Sequence, residues 1–121
     1  MSQSQKTVLI IDDDPDITGL LSALLENAGF AVDTLADGIA ALKLQKSYEV
    51  ILLDLNMPVF DGEQLTSYWV LSDPDVLRRV IVLSGYSTYT RGRPLPATFG
   101  SLTKPFNHNE LIRLVEECAN Q

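Results

Sequence analysis

Thr7-Val8-Leu9-Ile10-Ile11-Asp12-Asp13-Asp14 is a short apolar run that ends in three carboxylates. The run is continuous and rich in β-branched residues, which predicts a strand buried on both faces. An apolar run closed by a polar side chain recurs three times: Asp54 follows residues 50–53, Ser84 follows residues 80–83, and Lys104-Pro105 follows residues 102–103. One such strand end would mean little, but four of them together indicate a built site.

Amphipathic segments separate these strands. Asp14-Pro15 is a favourable helix start, with Asp as the N-cap and Pro at the first helical position, and Gly29 is a natural stop. Between them, apolar residues recur at three- and four-residue steps and define one helix face: Ile17, Leu20, Leu21, Leu24, Leu25 and Ala28. Residues 30–34 then alternate like a strand. Asp37-Gly38 opens a second helix that carries apolar residues as far as Leu44.

The second half of the chain repeats this order. Strands are predicted at residues 49–53, 79–83 and 99–103. A third helix is predicted from about Glu63, with Leu65, Tyr68, Trp69 and Leu71 turned inward, and Asp73-Pro74 marks a turn near its end. Asn107 can cap the last helix, with Glu110 three residues on as in a capping box, and the buried face of that helix would carry Leu111, Ile112, Leu114 and Val115.

Strands that alternate with helices predict an α/β fold with a parallel sheet covered on both faces. Right-handed crossovers place the carboxyl ends of all strands along one edge, which is where ligands bind in such sheets. All four polar clusters follow predicted strands. The fold and the chemistry therefore point to the same edge of the sheet.

Composition narrows the class of protein. The chain has 121 residues, 45% of them hydrophobic, and a formal net charge of −7. The acidic balance disfavours direct nucleic-acid binding and suits a cation or a partner with a basic face. Cys118 is the only cysteine, so an internal disulfide is excluded. The polar N-terminus and the lack of a long apolar stretch predict a cytoplasmic protein without a membrane span.

Asp12, Asp13 and Asp54 would repel one another at the shared edge. Two carboxylates about 5 Å apart repel by roughly 3 kcal/mol at an effective dielectric constant of about 20. A hard divalent cation with oxygen ligands relieves this repulsion, and Mg²⁺ fits best, although Mn²⁺ could substitute for it. Helix capping accounts for Asp14, but it does not account for Asp12, Asp13 and the lone Asp54 together.

Asp54 is the candidate nucleophile, because a carboxylate can accept a phosphoryl group as an acyl phosphate. The oxygens of the transferred group need a metal, a cation and a hydroxyl donor. Lys104 and Ser84 are the candidates for the cation and the hydroxyl.

These residues resemble the receiver domain of two-component response regulators. The resemblance rests on four motifs in family order: residues 8–14, residues 53–58 with Asp61-Gly62, Ser84-Gly85, and Lys104-Pro105-Phe106. It covers essentially the whole chain, so we expect one receiver domain over residues 1–121 with its core at about 6–119. It implies a flavodoxin-like doubly wound sheet of five strands in the order 2-1-3-4-5.

The resemblance also implies a phosphorelay function and the role of each residue. Asp54 would be phosphorylated by a histidine kinase or a histidine phosphotransfer protein, and the change would switch a surface that binds an output partner. Asp13 and Asp54 would ligate Mg²⁺ directly, Asn56 through its backbone carbonyl, and Asp12 mainly through metal-bound water. Ser84 and Lys104 would contact the phosphoryl group, the Lys104-Pro105 bond would be cis, and Asn56 and Tyr86 would tune autodephosphorylation.

Two features depart from the family pattern. The aromatic residue that commonly lies three positions before the lysine is replaced by Ser101, with Phe99 two residues earlier. The segment between Ser84 and Lys104 carries Gly92, Pro94 and Pro96, which disfavour a helix. We therefore expect the helix between the fourth and fifth strands to be short or missing, as in many receivers of hybrid histidine kinases.

Two other functions fit the fold. A pseudo-receiver would serve as an interaction module without phosphorylation, but it would be expected to lack pocket residues that are all present here. An aspartyl-phosphate phosphohydrolase would need a second Asp two residues after the nucleophile, and that position is Asn56. We therefore expect a protein that catalyses only its own phosphorylation and dephosphorylation.

Overall fold

The computed structural model describes residues 5–44, 46–57, 61–85 and 97–121. In these ranges the strands are β1 (Thr7–Ile11), β2 (Ala31–Leu35), β3 (Val50–Asp54), β4 (Val80–Ser84) and β5 (Gly100–Thr103). The helices are α1 (Pro15–Asn27), α2 (Gly38–Leu42), α3 (Gly62–Ser72) and α4 (His108–Ala119), with a 3₁₀ helix at Pro74–Arg79. All strand pairs are parallel and the strand order is β2-β1-β3-β4-β5, which confirms the flavodoxin-like sheet.

The helix ends follow the expected side-chain chemistry. Asp14 caps α1 by accepting a hydrogen bond of 2.9 Å from the Asp16 N–H, and Gly29 follows that helix with a φ of 101°. A left-handed φ of this kind suits glycine because it has no Cβ. Asn107 caps α4 and accepts from two backbone N–H groups in its first turn. The second helix ends at Leu42, two residues before its predicted limit.

Two apolar clusters hold the sheet between its helices, and successive apolar residues of β1, β3 and β4 belong to opposite clusters. On β1, Val8 and Ile10 face α1 and α4, whereas Leu9 and Ile11 face α2, α3 and the 3₁₀ helix. Every residue of β3 is buried. The central strands are therefore covered on both faces, which fixes the backbone to which the polar strand ends are attached.

The prediction for the third helix was partly wrong. Leu65 and Trp69 pack inward as expected, but Tyr68 is 45% exposed and Leu71 is 88% exposed. At 100° per residue, Leu65 and Trp69 fall on one stripe of α3, and Leu71 falls on the opposite side. Apolar character alone did not distinguish these positions.

Other boundaries differ by a residue: β2 begins at Ala31, and Asp54 and Ser84 are the last residues of their strands. The prediction of a short or missing helix between β4 and β5 falls mainly on residues 86–96, which lie outside the described residues. None of the described helices is both long and apolar enough to cross a membrane.

Leu111 and Leu71 provide a matched test of this packing. Leu111 has no exposed surface, so Leu111→Ala should lower the free energy of unfolding by about 2–5 kcal/mol through lost burial and a residual cavity. Leu71→Ala should change it by less than about 0.5 kcal/mol, because the side chain is almost fully in solvent. Urea denaturation followed by circular dichroism measures both, and equal losses would contradict the assigned core.

Candidate functional site

The carboxyl ends of β1 and β3 bring three carboxylates together. Asp12, Asp13 and Asp54 each offer one oxygen, and these oxygens lie within 4.8 Å of one another. Asp12 is only 2% exposed and Asp54 only 3%, whereas Asp13 is exposed to solvent. Because β1 and β3 are neighbours in the sheet, residues 42 positions apart in the chain meet at one edge.

Lys104 brings a cation to the same place from the end of β5. Its Nζ lies 3.3 Å from Asp12 Oδ2 and 3.5 Å from Asp54 Oδ1. The Lys104 backbone N–H donates to the Ser84 carbonyl at 2.7 Å, which fixes the start of this side chain against β4. The Lys104-Pro105 peptide bond is cis, as expected from the resemblance.

Backbone N–H groups orient the two buried carboxylates. The Asn56 N–H donates to Asp54 Oδ1 at 3.1 Å, and the Asp14 N–H donates to Asp12 Oδ1 at 2.9 Å. Asp12 therefore also stabilises the turn into α1, a structural role that the sequence interpretation had reserved for Asp14. Each carboxylate keeps a further oxygen that these two bonds do not use.

The surroundings raise the pKa of Asp54 to about 6. Burial is the largest cause, because an ionised carboxylate loses hydration in the core of the sheet edge. The Asn56 hydrogen bond lowers the pKa, the neighbouring Asp12 charge raises it, and Lys104 lowers it. Lys104 therefore offsets only part of the cost of placing this carboxylate beside another.

The donor set fits a hard divalent cation. Mg²⁺ takes oxygen ligands at about 2.0–2.1 Å, so ligands on opposite sides of the ion are about 4 Å apart, close to the spread of the three oxygens. A cavity of about 100 Å³ adjoins two of the carboxylates, with room for a few waters. The residues lining it are Asp12, Asp13, Pro15, Thr18, Thr34, Leu35 and Ala36.

The remaining predicted site residues occupy defined positions. Ser84 ends β4 and pairs with Thr103 of β5, next to Lys104, and Asn56 is exposed at the mouth of the site. Phe99 precedes β5 and packs against the apolar cluster of α1 and α4, whereas Ser101 is exposed. Tyr86 lies outside the described residues.

One contact had no counterpart in the sequence interpretation. A Cβ placed on Gly62, the first residue of α3, would come within 2.7 Å of the Asp54 carbonyl oxygen. Asp61-Gly62 was recognised only as part of a motif. A glycine directly after a helix N-cap was the available signal, because most residues at that position improve on glycine in helix propensity.

Comparison with known proteins places the chain in a family. Residues 8–116 match the family model of the response regulator receiver domain. The transcriptional regulatory protein CpxR homolog of Haemophilus influenzae is 35% identical over 117 residues, which cover 90% of this chain and 48% of that protein. The chain therefore spans about half the length of this relative.

Two solved structures share the fold. The receiver domain of the sensor histidine kinase PA1611 from Pseudomonas aeruginosa has a magnesium ion coordinated in its active site cleft; it is 28% identical with a TM-score of 0.84, over 98% of this chain and 100% of that one. The response regulator protein TrrA from Thermotoga maritima, in complex with Mg²⁺-BeF, is 30% identical with a TM-score of 0.82, over 94% and 99%. With its parallel sheet and its acidic edge, this chain belongs to the response regulator receiver domain family of two-component systems.

Proposed function

We propose that this chain accepts a phosphoryl group on Asp54 from the phosphohistidine of a histidine kinase or a histidine phosphotransfer protein. The observation that carries the proposal is a buried carboxylate within reach of one lysine and two further carboxylates. A structural ion pair would need one acid and one base, whereas among the described residues this edge holds three acids beside Lys104. The excess negative charge favours a site that takes up a cation and a phosphoryl group.

The transfer is a displacement at phosphorus. An ionised Asp54 oxygen attacks the phosphorus atom, a P–O bond forms, and the P–N bond to the donor imidazole breaks. The electron pair of that bond stays on the imidazole nitrogen, which is left as a neutral base or takes a proton from solvent. The hydrogen bond from the Asn56 N–H holds the Asp54 side chain in one orientation, so the attacking group is positioned before the donor arrives.

Lys104 and Ser84 act on the transferred group. The Lys104 ammonium lies between Asp12 and Asp54, so it can turn from these carboxylates to the phosphoryl oxygens without leaving the site. Ser84, at the end of the adjacent strand, offers a hydroxyl that donates to another phosphoryl oxygen. Preorganised donors of this kind stabilise charge on the equatorial oxygens during transfer.

The ligands of Mg²⁺ would be the side chains of Asp13 and Asp54 and the backbone carbonyl of Asn56, with Asp12 acting mainly through metal-bound water. Mn²⁺ could take the place of Mg²⁺. When bound, the ion would supply positive charge that offsets the negative charge of the phosphoryl oxygens. The relatives that carry Mg²⁺ in the same fold support this assignment. Asp13 is exposed to solvent, so the side of the site on which it lies is open to an entering cation.

Phosphorylation would act by population shift. The phosphoryl group favours the conformation of the chain in which it makes the more favourable contacts. That conformation presents the surface that binds the output partner. The partner is a protein rather than nucleic acid, because the chain has a net charge of −7. In this role the chain has no separate substrate to turn over.

Asp54→Asn should abolish acid-labile labelling by acetyl phosphate and Mg²⁺, because an amide is not a nucleophile for this transfer. Asp33→Asn is the matched control, since Asp33 pairs with Lys46 at 3.0 Å and takes no part in the site. Intact-protein mass spectrometry should show a mass increase of about 80 Da, the mass of HPO₃, on wild type and the control but not on Asp54→Asn. Undiminished labelling of Asp54→Asn would contradict the acceptor assignment and favour another residue.

Lys104→Met should separate metal binding from phosphoryl transfer. Removing the ammonium leaves Asp12 and Asp54 uncompensated, so Mg²⁺ should bind at least about threefold more tightly. The rate of labelling by acetyl phosphate should nevertheless fall by about 10²-fold or more, because the ammonium that would stabilise the phosphoryl oxygens is lost.

Calorimetric titration with Mg²⁺ and labelling kinetics test both parts. Lys46→Met, which removes the pair with Asp33 and the contact of Lys46 Nζ with the Tyr48 ring, should change neither. Weaker Mg²⁺ binding by Lys104→Met would show that the lysine does not compete with the cation.

Asp54→Asn should also stabilise the metal-free fold at neutral pH. The pKa of about 6 in the fold lies above the ordinary value of 3.8, so the fold favours the protonated acid. The cost of ionising Asp54 in the fold is therefore absent below pH 4 and complete above pH 6. In EDTA at pH 7 the variant should gain about 1–3 kcal/mol in unfolding free energy, since one pKa unit is about 1.4 kcal/mol.

Urea denaturation in EDTA at pH 4 and pH 7 measures the difference, which should appear only at pH 7. Asp33→Asn should not gain at pH 7, because hydrogen bonds from Tyr48 and Lys46 lower the pKa of Asp33. An equal gain for Asp54→Asn at both pH values would show that repacking, rather than charge, is responsible.

A further inference from the structure

The first turn of α3 lies directly against the backbone of Asp54 and Leu55, which we call the acceptor segment. A Cβ built on Gly62 would be 2.7 Å from the Asp54 carbonyl oxygen, 2.8 Å from Leu55 Cα and 2.9 Å from Leu55 Cδ2. Two of these three atoms are backbone, so a side-chain rotation cannot relieve the contact. Any side chain at position 62 must move either α3 or the chain at Asp54.

Hydrogen bonds hold the same segment from both sides. The Gly62 N–H donates to the Leu55 carbonyl at 3.3 Å, and the Leu55 N–H donates to the Leu83 carbonyl of β4 at 3.0 Å. The next residue, Asn56, donates its N–H to Asp54 Oδ1. The backbone that orients the acceptor carboxylate is therefore clamped between β4 and the start of α3.

The start of α3 is itself rigid. Asp61 and Gln64 form a reciprocal capping box, in which Asp61 Oδ1 accepts from the Gln64 N–H at 2.8 Å and Gln64 Oε1 accepts from the Asp61 N–H at 3.0 Å. Leu65, one residue later, has no exposed surface. An added methyl group would therefore be pressed against the acceptor segment, because the turn that carries it cannot unwind without losing its cap and its anchor.

We infer that Gly62 is a positioning residue for phosphoryl transfer, acting through the backbone of Asp54 and Leu55. Its hydrogen side chain lets α3 approach close enough to set the direction of the Asp54 carboxylate and of the Asn56 N–H. The inference rests on the proposed function, and it assigns to α3 a role in setting the geometry of the acceptor. A misplacement of about 1 Å can reduce a reaction rate by about 10²-fold.

Glycine-to-alanine substitutions at three positions separate this role from a general effect on folding. Gly62→Ala should slow labelling by acetyl phosphate by about tenfold or more at saturating Mg²⁺. Gly19→Ala places its Cβ on α1 with no atom from beyond its own stretch of helix within 4 Å, and the nearest atoms to the Cβ of Gly100→Ala belong to the movable Leu114 side chain, at 3.4 Å and beyond. Both control variants should be labelled at rates within about twofold of the wild-type rate, because neither added Cβ reaches the site.

Rates are compared at a temperature where near-ultraviolet circular dichroism shows all four proteins fully folded. In two-dimensional ¹H–¹⁵N spectra, Gly62→Ala should shift the amide signals of Asp54, Leu55 and Asn56, and the controls should leave them in place. A structural role alone would lower the melting temperature without changing the rate of the folded protein. If wild type is labelled and Gly62→Ala shows the same labelling rate and the same amide signals as wild type, the positioning role is overturned and the proposed function stands.

A measurement on wild type applies even if Gly62→Ala does not fold. Adding beryllofluoride and Mg²⁺, a stable mimic of the phosphoryl group, should shift the Gly62 amide together with that of Asn56. A shifted Asn56 beside an unmoved Gly62 would overturn the coupling. Failure of wild type to respond to either acetyl phosphate or beryllofluoride would instead contradict the proposed function.

Discussion

Two nearly buried carboxylates, Asp12 and Asp54, are held at the ends of adjacent strands, with one lysine between them. The arrangement is electrostatically unfavourable, because burial raises the pKa of Asp54 and the Asp12 charge raises it further. A flexible chain would separate the two groups. The parallel sheet prevents this, since β1 and β3 are paired in register and covered by apolar residues on both faces.

The rest of the site follows from that constraint. Lys104 offsets part of the charge, exposed Asp13 adds a third oxygen, and hydrogen bonds from the Asn56 and Asp14 N–H groups fix the buried carboxylates. Under the proposed function, a site held in this way is prepared for a cation and a phosphoryl group, because rigid neighbours cannot move apart to relieve the repulsion. In that proposal, the stability of the metal-free fold and readiness for phosphoryl transfer oppose each other at Asp54.

The role of α3 differs from that of a simple cover for the sheet. Its N-terminal turn lies against the backbone of Asp54 and Leu55, and Leu65 and Trp69, about one and two turns later, anchor it in the core. Its outer face carries Tyr68 and Leu71 in solvent. One short helix thus connects the backbone of Asp54 to an exposed surface through packed atoms, and Gly62 lies at the end of the helix that meets this backbone.

From the amino-acid sequence alone we could predict the alternation of strands and helices, the helix caps at Asp14 and Asn107, and the residue types at each strand end. These are local properties: periodicity, capping and turn chemistry act within a few residues. The strand order was predicted only through family resemblance, because nothing local specifies which strands become neighbours.

The folded structure was needed to establish which side chains meet and at what distance. It showed that Leu71 faces solvent, that Phe99 packs against the apolar cluster of α1 and α4, and that Asp12 serves the turn into α1 as well as the acidic cluster. It also showed that Gly62 lies against the backbone of Asp54 and Leu55. Such facts depend on how separate elements pack, and a one-dimensional pattern carries apolarity and spacing but not the direction from which a distant segment approaches.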